Sequence, residues 1–218
     1  MGFAGINPIY FVVGVAILGL APFLIMLVTS YVKIVIVTSL IRNALGVQQI
    51  PPTMVMNGLA IILSIFIMAP VVTDGLDLLK KQHITGESRP EELITAIDNC
   101  SPPLRKFLKQ NTSPIILKAF MGTAKRMWPK RMEQDIDEDN LLILVPSFTI
   151  SEMTHAFQMG FLLYLPFVAI DLIISNILLA MGMMMVSPMT ISLPFKLLLF
   201  VTLDGWLKIS QGLLLSYH

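Results

Sequence analysis

The sequence predicts an all-α membrane protein in which two helical hairpins, four membrane spans in all, flank a small helical domain on the periplasmic side. Three observations point there. Hydrophobic residues make up 55% of the 218 and charged residues only 13%, against roughly 25% charged in soluble domains. Mean hydropathy is +0.78, too apolar for a chain of this size to hide within one soluble core. The charges are also segregated. None occurs from Met1 to Val32 or from Asn43 to Thr73, they crowd into Asp74–Asp139, and only Glu152, Asp171, Lys196, Asp204 and Lys208 follow. The division is therefore 1–73, a first apolar hairpin; 74–146, a polar helical domain; and 147–218, a second apolar hairpin.

A spanning helix needs ~20 mostly apolar residues. The first candidate covers Ile9–Val32, kinked at Pro22. Because no Lys or Arg precedes Lys33, this stretch is expected to be a retained span rather than a cleaved signal. The second covers Met54–Thr73, closed by Pro70, and the third Met153–Met181, with Pro166 inside it. The fourth covers Phe195–Leu215 and is the least apolar. Prolines are tolerated in such helices when neighbours satisfy the freed backbone groups, so these helices are expected to pack against protein rather than lipid alone.

Orientation is read from basic residues in short connections. Lys33 and Arg42 fall between spans one and two, and Lys196 between spans three and four. Both hairpin tips are thereby assigned to the cytoplasm, and the polar region to the periplasm of a Gram-negative inner membrane. In that region Ser88 and Glu91 have capping-box spacing. Ser101-Pro102 and Ser113-Pro114 read as N-caps followed by a first-turn proline, and Pro129 ends the second of these helices. Short helices and no sheet are expected.

Several kinds of chemistry are excluded. A net charge of +1 offers no field for nucleic acid, and one cysteine, Cys100, allows neither an internal disulfide nor a CxxC site. No HExxH, GxSxG, Walker loop or GxGxxG occurs. Asp135-x-Asp137-x-Asp139 imitates a calcium loop, but Asn140 stands where glycine is needed and Pro146 where glutamate is needed; it reads as a solvated acidic linker. The basic residues from Arg105 to Arg131 read as the wet face of the short helices. Glu152 and His155, at i,i+3, read as a structural polar contact or as an intramembrane acid/base pair. Without further ligands they do not make a catalytic metal site. No cofactor or metal is expected, and no enzymatic activity.

Charges within membrane helices mark function or partner pairing. Asp204 and Lys208 stand at i,i+4 in the order that favours a helical salt bridge, within the chain or to another subunit. Asp171 has no evident partner and is expected to face a polar seam or another chain. Glu152, Asp171, Lys196, Asp204 and Lys208 together form the expected set of buried polar or assembly contacts. Methionine is the sharpest compositional signal: Met181, Met183, Met184, Met185 and Met189 cluster among turn residues. A lone methionine is ordinary packing. Three in succession at a bend suit a deformable hydrophobic constriction, since methionine moulds to irregular surfaces and such constrictions gate by dewetting.

Leu162–Phe167, Ile170-Asp171-Leu172, Met181–Met185, Ile191–Phe200 and Asp204-Gly205-Trp206 strongly resemble the SctR/FliP family of type III secretion export-apparatus proteins. Pro146-Ser147-Phe148, Ser151-Glu152, Ala156–Phe161, Arg42–Gly46 and Gln48–Pro52 fit the same pattern. The resemblance covers nearly the whole chain and is weakest in the first few residues and in Asp74–Asn140. It implies a homopentameric ring that joins SctS-like and SctT-like subunits in a helical export gate, passing unfolded polypeptides and raised largely above the bilayer plane. Met183, Met184 and Met185 match the family's pore gasket. Flagellar members often carry a longer N-terminal extension, so the injectisome type is expected over the flagellar one. The competing expectations are a small-solute or ion carrier, built on broken helices, and an intramembrane hydrolase using Glu152 and His155.

Overall fold

A computed structural model describes residues 19–47, 50–80 and 99–217, and among them every regular element is helical. In chain order these are α1 (Gly19–Leu27), α2 (Tyr31–Leu45), α3 (Thr53–Lys80), α4 (Pro102–Gln110), α5 (Pro114–Met127), a 3₁₀ turn (Lys130–Asp135), α6 (Leu141–Ala180), α7 (Pro188–Thr202) and α8 (Gly205–Leu215). Helices α3 and α6 are long and apolar enough to cross a membrane. The pairs α1–α2 and α7–α8 qualify only as broken spans, bent by 70° and 59°.

Helix α2 is the centre of the packing. Its buried residues Ile34, Val37, Ile41 and Ala44 recur every three or four positions, one stripe of a helix. Gly46, at φ 74°, ends it in the left-handed region. Helix α3 returns antiparallel to α2: Ser30 Oγ donates to Ser64 Oγ at 3.2 Å near one end, and Arg42 donates to Thr53 Oγ1 at 3.0 Å near the other. Helix α6 runs parallel to α2, since Lys33 meets Glu152 and Leu40 lies over Gly160. The approach at Gly160 is so close that a Cβ there would collide with the Leu40 side chain. Helix α7 folds back along α6, with Phe200 6.5 Å from Phe167. Ile34, Val37, Ile41 and Ala44 of α2, with Ala60, Ala156, Phe167 and Phe200, form the first core.

The second core joins the short helices to α6. Phe107 and Leu108 of α4, Leu117 and Ala124 of α5, and Ile143, Leu144 and Phe148 of α6 fill it. Proline opens both short helices, as expected, but neither serine caps through its side chain. Ser101 Oγ accepts from Arg105 Nε at 2.8 Å instead. The Ser113 N–H donates to Ser151 Oγ of α6 at 3.0 Å, so a tertiary contact takes up a helix-end donor. Pro129 stops α5 as expected, with Trp128 as the helix's C-cap. Lys109 binds Glu138 and Asp139, each at 3.1 Å. Its hydrogen bonds to Glu138 first, then Asp139, hold its pKa above the ordinary lysine value.

The structure corrects several sequence expectations. Pro70 does not close the second span; α3 continues through it to Lys80. The third helix begins at Leu141, not Met153, and passes both Pro146 and Pro166. Asn140, which spoils the calcium-loop pattern, is the cap of that helix, its Oδ1 accepting from the Leu142 N–H at 2.9 Å. The boundaries at 73/74 and 146/147 therefore both fall inside continuous helices. The first span is interrupted at Val28–Ser30, beyond Pro22, and the fourth is broken at Leu203-Asp204. Lys33 and Lys196 are not loop residues but buried helical ones, 2% and 3% exposed. The connection between α6 and α7 is the uncharged Met181–Ser187. Arg42 too is helical, in the last turn of α2, so none of the three cations behind the assigned orientation lies in a loop. Residues 9–18 of the first candidate span and the Ser88/Glu91 capping box lie outside the described residues.

Candidate functional site

The long helix α6 connects two charge networks and a methionine loop. The first network is about a third of the way along it, at Glu152. Lys33 Nζ lies 2.9 Å from Glu152 Oε1, with side-chain exposures of 3% and 1%. The approach is not an aligned hydrogen bond, for Oε1 receives none, so the contact is an ion pair held by charge. The Tyr217 hydroxyl donates to Oε2, and the Tyr217 ring lies 3.9 Å from Lys33 Nζ. Burial, then the negative charge of Glu152, push the Tyr217 phenol far above its ordinary value, so it stays a donor. His155 Nδ1 is 4.0 Å from Oε1 and half exposed. Glu152 is therefore engaged by Lys33 and Tyr217, not reserved for acid/base work with His155. Among the described residues no three His, Cys, Asp or Glu side chains converge on a metal position.

The second network lies about five turns further on, at 3.6 residues per turn. Asp171 has a partner in the chain after all: Lys196 Nζ is 2.6 Å from Oδ2, and Ser192 Oγ donates to Oδ1 at 2.6 Å. Lys196 also donates to the Ala44 carbonyl at 3.1 Å. That carbonyl belongs to the last turn of α2, where orphan carbonyls and the negative end of the helix dipole favour a cation. One lysine thereby ties α7 to both α2 and α6. Asp171 keeps about a third of its side chain exposed, at 34%.

Asp204 and Lys208 do not join either network. Asp204 sits at φ 51° as the residue before α8, and both side chains are exposed. Asp204 has left-handed rather than helical backbone angles, which an i,i+4 side-chain pair on one helix face needs, and the structure contains no ion pair between them. Only the Lys208 N–H reaches the Asp204 carbonyl, at 3.0 Å. The break has a packing reason: the Phe200 ring occupies the space where any Cβ at Gly205 would project, and Trp206 meets that ring edge-on at 5.2 Å.

The methionines lie where α6 ends. Gly182, at φ 73°, permits the turn. The Met183 N–H bonds to the Leu178 carbonyl at 2.9 Å and the Gly182 N–H to the Leu179 carbonyl at 3.0 Å, the paired bonds of a Schellman motif. Ser187 and Pro188 then start α7. Between these fixed ends Met183, Met184 and Met185 are 47%, 81% and 101% exposed. Three neighbouring apolar side chains in the open call for a cover in the working molecule.

Glu152, Asp171, Lys196 and the methionine run stand out in the sequence; Lys33, Ser192 and Tyr217, which the structure places against the three charged residues, do not stand out as their partners. Lys33 carried a signal, a lone cation among apolar residues. Tyr217 carried none.

A family profile described as "FliP family" matches residues 15–213. The chain is 52% identical over 211 residues, covering 97% of each chain, to "Yop proteins translocation protein R" of Yersinia pestis. It is 45% identical over 211 residues, 95% of each chain, to "Hypersensitivity response secretion protein HrcR" of Ralstonia nicotianae. It is 47% identical over 190 residues, 87% of each chain, to "Virulence protein YscR" of Salmonella typhimurium. The chain belongs to the FliP family, the SctR/FliP export-apparatus proteins that its motifs resemble.

Proposed function

We propose that the protein is an export-gate subunit of a virulence-type type III secretion system in a bacterial inner membrane. Five copies form a ring with SctS-like and SctT-like subunits, through which unfolded polypeptides pass. The polar helices lie on the periplasmic side, and the assembly stands largely above the bilayer. Met183, Met184 and Met185 of each copy converge as a flexible gasket that keeps ions back until a polypeptide displaces it. Glu152, Asp171 and Lys196 hold the subunit's helices in register for that assembly, while exposed Asp204 and Lys208 are available to neighbouring chains.

The observation that carries this reading is the methionine loop. A Schellman turn and a Ser-Pro helix start fix its two ends, while its three methionine side chains project uncovered. A symmetric ring would cover them with their own copies. The exposed apolar residues along α3, α6 and α7 support the same arrangement, and the relatives' names of translocation, secretion and virulence accord with it. Native mass spectrometry after gentle extraction from cells co-expressing SctS-like and SctT-like partners tests it. The expected species holds five copies of this chain with those partners; a monomer or dimer that ignores them would overturn the reading.

The two bent helix pairs, at 70° and 59°, favour a carrier as the second reading, because broken helices in both halves are a carrier's device. Solute uptake by the purified protein in vesicles would support it.

A further inference from the structure

Helix α8 is lightly held. Leu213 is its single buried residue, and Trp206 and Ile209 pack beside it on the first core. The next two residues behave differently. The backbone hydrogen bonds of Ser216 and Tyr217 go only to Gly212 and Leu214 of the same helix, so the tie to the rest of the molecule is the Tyr217 side chain. That side chain touches three other helices. Its hydroxyl donates to Glu152 of α6, its ring covers Lys33 of α2, and the ring stacks on Phe107 of α4 at 5.9 Å and 16°. Tyr217 thus packs with the second core while α8 packs with the first. Beside it, Ser216 lines a cavity of about 310 Å³ together with Lys33, Asn111, Thr112, Ser113 and His155.

We propose that Ser216 and Tyr217 form a strap, latched by the Tyr217 side chain, that runs along the edge of this open cavity beside the Lys33–Glu152 pair and holds α4 and α5 against α6. Opening the latch loosens the short helices while the first core stays packed. The chemistry suits a latch rather than a permanent weld. The hydroxyl supplies the hydrogen bond to a buried carboxylate whose other oxygen has none, and such charge-assisted bonds are strong. The ring shields the Lys33 ammonium through a cation–π contact. Both are lost together by one side-chain rotation, without breaking any helix.

Thiol labelling of the full-length protein tests this. In a Cys100→Ser background, Thr112→Cys reports the cavity wall and Thr38→Cys reports the first core; both positions are buried, at 7% and 1% exposure. Adding Tyr217→Ala is expected to raise labelling at the first reporter by about tenfold or more, as for a local opening, and to leave the second unchanged. Tyr217→Phe, which keeps the ring but loses the hydroxyl, is expected to give a smaller rise at the first reporter alone. If Tyr217→Ala does not fold, the Tyr217→Phe result decides. No rise at the first reporter, or an equal rise at both, overturns the strap.

Discussion

The Lys33 ammonium of α2 and the Glu152 carboxylate of α6 are 2.9 Å apart, and each side chain is almost wholly withdrawn from solvent. Removing one partner of such a pair strands the other charge. Lys33→Met alone is expected to cost about 3–5 kcal/mol, whereas adding Glu152→Leu should recover most of that loss, because apolar replacement of a whole buried pair is nearly neutral. Denaturant or heat unfolding in detergent, followed by circular dichroism, measures both.

The Asp171–Lys196 pair should be less costly to break. Asp171 is a third exposed, so water screens part of its charge, and Lys196 keeps the Ala44 carbonyl. Asp171→Asn is expected to cost about 1–2 kcal/mol, after discounting for that screening. A loss as large as that of Lys33→Met would show that the Ala44 carbonyl contributes little.

Tyr217 gives a pH dependence with a definite sign. Its phenol is raised above 10.0, its ordinary value, by burial and by Glu152. Below that value both folded and unfolded chains keep the proton and the contribution is fully present. Above it the unfolded chain sheds the proton while the folded one retains it, so stability falls as pH rises. Tyr217→Phe is expected to flatten the decline seen in the parent protein above about pH 10, where an unperturbed tyrosine titrates. Paired unfolding curves at pH 8 to 11 supply the comparison.

At Gly160 the Leu40 side chain leaves no room for a methyl group. Gly160→Val is expected to destabilise by about 1–3 kcal/mol through overpacking. Combining Gly160→Ala with Leu40→Ala should restore the close approach, so the double variant should unfold nearer the parent than Gly160→Ala alone.

Replacing Met183, Met184 and Met185 together by alanine is expected to leave assembly intact and raise ion conductance across membranes bearing the complex. Normal conductance together with lost assembly would refute the gasket role.

The helical class, the start of α3, the bounds of α5 and the place of the methionine run were legible because each rests on a local pattern: apolar length, a Ser-Pro start, a Pro stop. Helix α7 was not, because Ser187-Pro188 and Ser192–Pro194, which read as turn residues, begin it and lie within it. Asp171 was legible as a group that must meet something, but not as the partner of Lys196, which lies on the returning helix. Lys33 was misassigned for the same reason. Counting charges places a cation in a loop, and only packing reveals that Glu152 draws it into a core. Prolines misled in the opposite direction. Pro70 and Pro146 each remove one backbone donor, yet α3 and α6 run on through them, packed against neighbouring helices. The Asp204 break could not be seen because its cause is the Phe200 ring against Gly205.

Helix α6 also sets phase. Its 40 residues carry the chain about 60 Å at 1.5 Å per residue, from the acidic turn at one end to the methionine loop at the other. Each residue advances the azimuth by about 100°, from 3.6 residues per turn. One residue inserted between Gly160 and Asp171 would swing the loop about a quarter-turn around the axis relative to the short helices. Seven would return it to within about 20° of its bearing, though displaced by two turns. The direction in which the three methionines point is therefore encoded partly in a residue count, independently of which side chains fill it.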